Sequence, residues 1–85
     1  MYKYVNLTAS GLVKTGGGFA LGIVINSHTS GTIKLYDSLT ATGTVFNETI
    51  TFGVGERSIP LFGKTFYTGL YAEIGGTANV SIITG

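Results

Sequence analysis

His28 is the single histidine of the chain, and Ser27, Ser30 and Asp37 lie within ten residues of it, so a nucleophile, a base and an orienting carboxylate can be written from one stretch. Such a set works only where the base is held between nucleophile and carboxylate, in a sheltered site beside an oxyanion hole. Here the residues crowd one turn, and no Gly-x-Ser-x-Gly elbow is present. The expectation is a solvated turn histidine. With no cysteine and one histidine, the chain lacks the three or four ligands that a zinc site takes at recognisable spacing, and no metal is expected. Asp37, Glu48, Glu56 and Glu73 offer a carboxylate pair of the glycosidase kind, which needs two acids about 5–10 Å apart across a cleft. Alternation within their strands points Glu48 and Glu73 outward, so they read as solvated. Gly16-Gly17-Gly18 after Lys14 lacks the Gly-Lys-Ser/Thr ending of a phosphate loop. The triplets beginning at Asn6, Asn47 and Asn79 fit the glycosylation pattern, but chance supplies such triplets in a chain rich in Thr and Ser. The chain therefore reads as non-enzymatic, with no cofactor.

The elements that carry these residues follow from period. Apolar residues recur at spacing two, as in Ile33-Lys34-Leu35-Tyr36 and Val80-Ser81-Ile82, and nowhere hold a helical spacing over a dozen positions. Strands are predicted near 2–8, 10–15, 19–27, 32–37, 44–52, 57–61, 69–74 and 77–83, with Gly, Asn, Asp and Ser filling the gaps. His28 to Gly31 and Gly75-Gly76 read as hairpin turns, with Gly31 near a position of positive φ. Gly53 to Glu56 should reverse the chain, and Pro60 marks an edge or a strand end. Regular short strands without helices to make parallel crossovers imply an all-β fold: a single small antiparallel β-sandwich or barrel of seven to eight strands, one domain over residues 1–85.

Composition narrows the partners. Charged residues are 11% of the chain, less than half of the roughly 25% usual in soluble domains, so the surface must be poor in charge. Lys3, Lys14, Lys34, Arg57 and Lys64 are scattered and the net charge is +1, which leaves no cationic footprint for nucleic acid. No apolar run approaches the ~20 residues of a membrane span, and the N-terminus lacks the apolar stretch of a signal peptide, so synthesis in the cytoplasm is expected.

Alternation nominates Leu7, Leu12, Leu21, Ile23, Ile25, Ile33, Leu35, Ile50, Phe52, Ile59, Leu61, Leu70, Ala72, Ile74, Val80 and Ile82 as core. The rings of Tyr2, Tyr4, Tyr36, Phe46, Phe62, Phe66, Tyr67 and Tyr71 remain, and a domain this small cannot hide them all. Aromatic side chains with few charges around them are what protein interfaces show. Tyr2 and Tyr4 on the first strand, with Phe62, Phe66, Tyr67 and Tyr71 in the segment from Phe62 to Tyr71, are the candidate interface residues.

Two stretches carry a resemblance. Gly22 to Asp37, with Asn26-Ser27-His28-Thr29-Ser30-Gly31-Thr32 at its centre, and Thr68 to Val80, with Gly75-Gly76, resemble small proteins of tailed bacteriophages. Members of that group resemble virion components of the head: capsid decoration or cement proteins, or parts of head fibres. The resemblance implies a β fold and a structural role, and brings no catalytic set. It implies a module made in the host cytoplasm and carried in the virion, binding subunits of the major capsid protein and itself; a threefold ring would suit a position between capsomers. The alternative is a tail or head fibre component contacting host-surface glycans, with Tyr36 or Tyr71 as the stacking platform.

Overall fold

Two long strands carry the architecture. The computed structural model describes every residue except Met1, Tyr2, Val54 and Glu56. Its strands are β1 (Lys3–Leu7), β2 (Gly11–Thr15), β3 (Gly18–Asp37), β4 (Thr44–Thr51), β5 (Ser58–Phe66) and β6 (Gly69–Thr84), and no helix occurs among the described residues. β3 and β6 pair antiparallel along nearly their whole lengths, from Ala20↔Thr84 to Tyr36↔Tyr71. On the far side of β3, β5 covers its first half and β4 its second; on the far side of β6, β2 covers its first half and β1 its second. One half of the sheet thus runs β1-β6-β3-β5 and the other β2-β6-β3-β4.

The all-β, antiparallel expectation holds, but the strand count does not. Six strands form one open sheet, not seven or eight, and neither a second sheet nor closure into a barrel is seen among the described residues. The difference arises at the two expected hairpins. His28 to Gly31 and Gly75-Gly76 lie opposite each other in the same ladder, between Thr29↔Thr77 and Thr32↔Gly75, where β3 gains one residue on β6. Each is therefore a bend in a continuous strand. Positive φ falls at Ser30 (52°) rather than Gly31, and at Gly76 (68°) but not Gly75. A Cβ on Gly31 would press on Phe52, His28 and Ala78, so glycine is required there for close approach instead.

The bend is sharp. Twenty residues of strand at about 3.3 Å each would span roughly 65 Å, yet the longest dimension of the molecule is 32 Å. The two ends of β3 return to one place: Gly18 pairs with Phe66, and Asp37 binds the amides of Tyr67, Thr68 and Gly69. Phe66 of β5 then meets Phe46 of β4 edge to face, with ring centroids 6.0 Å apart. The open sheet is folded across its middle, and its inner face closes on itself.

That inner face is the core. Ile23, Ile25, Ile33, Leu35, Leu61, Leu70, Ala72, Val80 and Ile82 are buried as alternation indicated, with Phe52; Leu7, Ile50, Ile59 and Ile74 pack against them part-buried. Two assignments fail where a bulge shifts parity. An irregularity between Leu12 and Lys14 turns Val13 inward and leaves Leu12 exposed beside Tyr71. Another between Ala20 and Gly22 buries Ala20 and leaves Leu21 only half-covered. Ala78, Phe46 and Phe66 complete the buried cluster.

Candidate interaction surface

Directly opposed residues of antiparallel strands point to the same face, so the register shows what each outer face presents. On the first half, Tyr4, Ile83, Gly22 and Pro60 form one row across β1, β6, β3 and β5. Val24 lies one row away, opposite Ser81 and Ser58, and Phe19 is held on the other side by paired backbone hydrogen bonds with Gly85. Tyr4 is 75% exposed; Phe19, Val24 and Pro60 are exposed as well. Beyond Val24 the face becomes polar: the side-chain amides of Asn6 and Asn26 both donate to Oδ1 of the Asn79 side chain, at 2.7 and 3.1 Å. We call this surface the Tyr4 face.

On the second half, Leu12, Tyr71, Tyr36 and Val45 form the matching row across β2, β6, β3 and β4. Leu12 and Val45 are exposed, Tyr71 is half-covered and Tyr36 is only 8% exposed. A charged network flanks them. The Tyr36 hydroxyl donates to Glu73 at 3.2 Å, while Lys34 lies over the Tyr36 ring, 5.3 Å from its centroid, and 3.9 Å from the Glu48 carboxylate. This is the Tyr71 face.

The six residues nominated from sequence do not form one site. Tyr2 lies outside the described residues. Tyr4 stands on the edge strand β1, at one end of an outer row, Phe62 projects from β5 at 88% exposure, and Tyr67 is 78% exposed on the crossing between β5 and β6. Phe66, placed among the interface candidates, is fully buried. The reason is alternation across the crossing: Phe66 fills the gap between the two halves against Phe46, and its neighbour Tyr67 must then face water. Phe62 sits in a stretch of β5 where three residues, Leu61, Phe62 and Gly63, oppose the single Leu21 of β3, between Pro60↔Gly22 and Lys64↔Ala20. Its φ is +56° and that of Gly63 is +72°, a left-handed pair that pushes the ring off the sheet edge.

The residues read for chemistry are dispersed. His28 lies at the bend and Asp37 at the opposite end of β3, where Asp37 accepts amide hydrogen bonds at 2.8 Å from Thr68, 3.0 Å from Tyr67 and 3.4 Å from Gly69. Burial acts to raise the Asp37 carboxyl, and the amides of Thr68, Tyr67 and Gly69 act against it; the balance holds its pKa below the ordinary carboxylate value. His28 is not the solvated turn residue expected. It is half-covered, its Nε2–H donates to the Gly53 carbonyl at 3.1 Å, and its edge meets the Phe52 ring at 5.4 Å. Its Nδ1 is buried without a hydrogen-bond partner among the described residues. Glu48 and Glu73 are exposed, as alternation implied, and Glu56 lies outside the described residues. Gly16 closes the loop before β3 by donating its amide to Thr68. Among the described residues there is no enclosed cavity or cleft, and no group of three or more histidine or acidic side chains placed to hold a metal ion.

What sequence reasoning missed was the outer row itself. Phe19, Val24, Pro60 and Ile83 are unremarkable in one dimension, and only cross-strand register sets them beside Tyr4. Asp37 as the clasp of the crossing was also missed, because its partners are thirty residues away. Comparison with protein-family models, with curated proteins and with solved structures gave no match.

Proposed function

We propose that this chain is a protein-docking structural module, a capsid decoration or cement protein of a bacteriophage virion that binds capsid subunits and itself. The observation that carries the docking part is the Tyr4 face: an apolar row spanning four strands, with Tyr4 at 75% exposure. A side chain of this kind, uncovered on the outer face of a sheet with few charges around it, gains its natural complement from another protein surface. The virion part rests on the resemblance of Gly22–Asp37 and Thr68–Val80 to phage head proteins. The folded sheet, held at its bend by His28 and Phe52 and at its open end by Asp37, suits a module that must transmit load without deforming. Read in this way, the two halves act as the two layers of a small sandwich.

Glycan contact through Tyr36 gains no support, because that ring is covered on its own face and its hydroxyl is committed to Glu73. The test is location. Purified particles from infected cells, stripped of loosely bound protein and analysed by mass spectrometry, should contain the chain in many copies, and electron microscopy should place it on the capsid shell. Its absence from washed particles would refute the assignment; density on the tail would move it to the fibre reading.

A further inference from the structure

Register assigns every described charge of the first half to a side of the sheet, because directly opposed residues share a face. Lys3 pairs with Thr84 and Lys64 with Ala20, while Arg57 stands one step past Val24↔Ser58, its carbonyl accepting the Ile25 amide. Thr84, Ala20 and Ile25 are all buried. The three cations therefore take the inward side of their strands, and Lys64 lies over the Phe46 ring and donates to the Phe46 carbonyl. Among the described residues, which do not include Glu56, the Tyr4 face is left without a charged side chain. On the Tyr71 face, by contrast, Lys34 and Glu73 oppose each other and the Glu48 side chain is 82% exposed. A locked amide is the second feature of the Tyr4 face. Oδ1 of Asn79 accepts from the side-chain amides of Asn6 and Asn26, which fills both of its lone pairs. Turning this amide over would set its own N–H groups against two donors, so its orientation is fixed. The N–H groups of the Asn79 side chain have no partner among the described residues. Half-covered Asn79 thus offers donors at one border of the face, with Tyr4, Val24 and Pro60 exposed along the rest.

We infer that an uncharged patch of a capsid subunit covers the Tyr4 face: apolar where it meets Tyr4 and Val24, with carbonyl or hydroxyl oxygens opposite Asn79, and with no ion pair across the contact. The inference rests on reading the chain as a docking module and names the chemistry of its partner. Interface cores are depleted in charge and enriched in aromatic rings, which is the composition of this face and not of the Tyr71 face. An amide donor that is covered without an acceptor is costly, so Asn79 selects a partner that brings oxygens to that border. A protein surface fits better than a sugar does, since small ligands take concave sites and no cleft is present among the described residues.

Salt and near-isosteric substitution test the contact. Capsid shells assembled without this chain are titrated with the native protein, and the bound chain is measured by co-sedimentation. Affinity should change by less than about twofold between about 0.05 and 0.5 M sodium chloride, a range over which exposed ion pairs are screened, and should tighten in ammonium sulfate. Asn79→Asp keeps an oxygen between the two donors but replaces the free N–H groups by a charged acceptor. It should weaken binding by about tenfold or more, as should Tyr4→Ala, while Glu48→Gln on the other face should bind as the native chain does. Circular dichroism and thermal melts identify which variants are folded. Val24→Glu, at an exposed position, introduces a charge independently and carries the test should Asn79→Asp unfold. Affinity that falls steeply with sodium chloride, or folded variants of the Tyr4 face that bind like the native chain, would overturn the inference and leave the docking reading in place. A native chain that binds no shell at any salt concentration would overturn the docking reading and this contact with it. Retention on a neutral polysaccharide column that is lost in Tyr4→Ala would give the face to a sugar and overturn the protein contact.

Discussion

At the scale of single residues, two side chains stand out because their backbone or partners are unusual. Asp37 is the clasp of the folded sheet: one carboxylate satisfies amides of three consecutive residues, on the crossing where β5 passes to β6. Since its folded pKa lies below the unfolded value of about 3.9, its contribution is fully present above that value and is lost as pH falls through the folded pKa. Asp37→Asn should lower stability at pH 7 by about 1–2 kcal/mol, the range for amide bonds to a partly solvated charge. It should also flatten the fall in stability between about pH 5 and 2, as read from denaturant melts across that range. Phe62 is the opposite case, an exposed ring held at positive φ with no packing return. A bulky residue there costs about 1–3 kcal/mol, so Phe62→Gly should raise stability by about 1 kcal/mol in the same melts. An unchanged or lower midpoint would show that the ring has contacts that stabilise the isolated chain.

At the scale of elements, the bend in β3 and β6 decides the fold. Gly76 lies at φ +68° with the Ser30 carbonyl so close that an added Cβ would overlap it, against backbone that cannot move aside. Gly76→Ala should therefore cost about 2–4 kcal/mol, the sum of left-handed strain and overpacking, and differential scanning calorimetry would register a large drop in midpoint. Gly75→Ala differs in kind: its φ is not in the left-handed region and its Cβ would meet the flexible Thr32 side chain, so a smaller loss is expected. Equal losses at the two positions would mean that the bend is held by something other than backbone conformation. Much of each strand was legible in sequence, since the alternation through Ile23-Ile25, Ile33-Leu35 and Val80-Ile82 matches the buried face. The joins were not. Ser, Gly and Thr at a bulge look the same as Ser, Gly and Thr at a hairpin, because both require the same local backbone freedom.

At the scale of the whole molecule, nearly every ladder joins distant parts of the chain. Lys3 pairs with Thr84, so β1 at one terminus closes onto β6 at the other. A chain of this length has on the order of 4–13 kcal/mol of stability to lose. Removing residues 1–8 takes away the part-buried Val5 and Leu7, worth about 1.5–3 kcal/mol each when fully covered, along with five ladder positions. The shortened chain should lose its cooperative thermal transition. Retention of a sharp transition would show that the folded β3–β6 ribbon is stable without its edge. Long-range pairing of this kind also sets the speed of folding: refolding of the full chain should fall in the millisecond-to-second range of non-local β topologies, and stopped-flow fluorescence of the tyrosines would measure it.

The amino-acid sequence alone determined that the chain is all-β, which short runs alternate between core and water, and that its rings outnumber what one thin core can hold. These are properties of nearest neighbours along the chain, where a period of two is read directly. Only the tertiary structure decided that Phe66 is buried while Tyr67 faces water, that Val13 rather than Leu12 enters the core, and that two expected hairpins are one bend shared by two long strands. Each of these depends on what lies across the ladder or across the fold, and a one-residue bulge is enough to reverse the side on which every following side chain emerges.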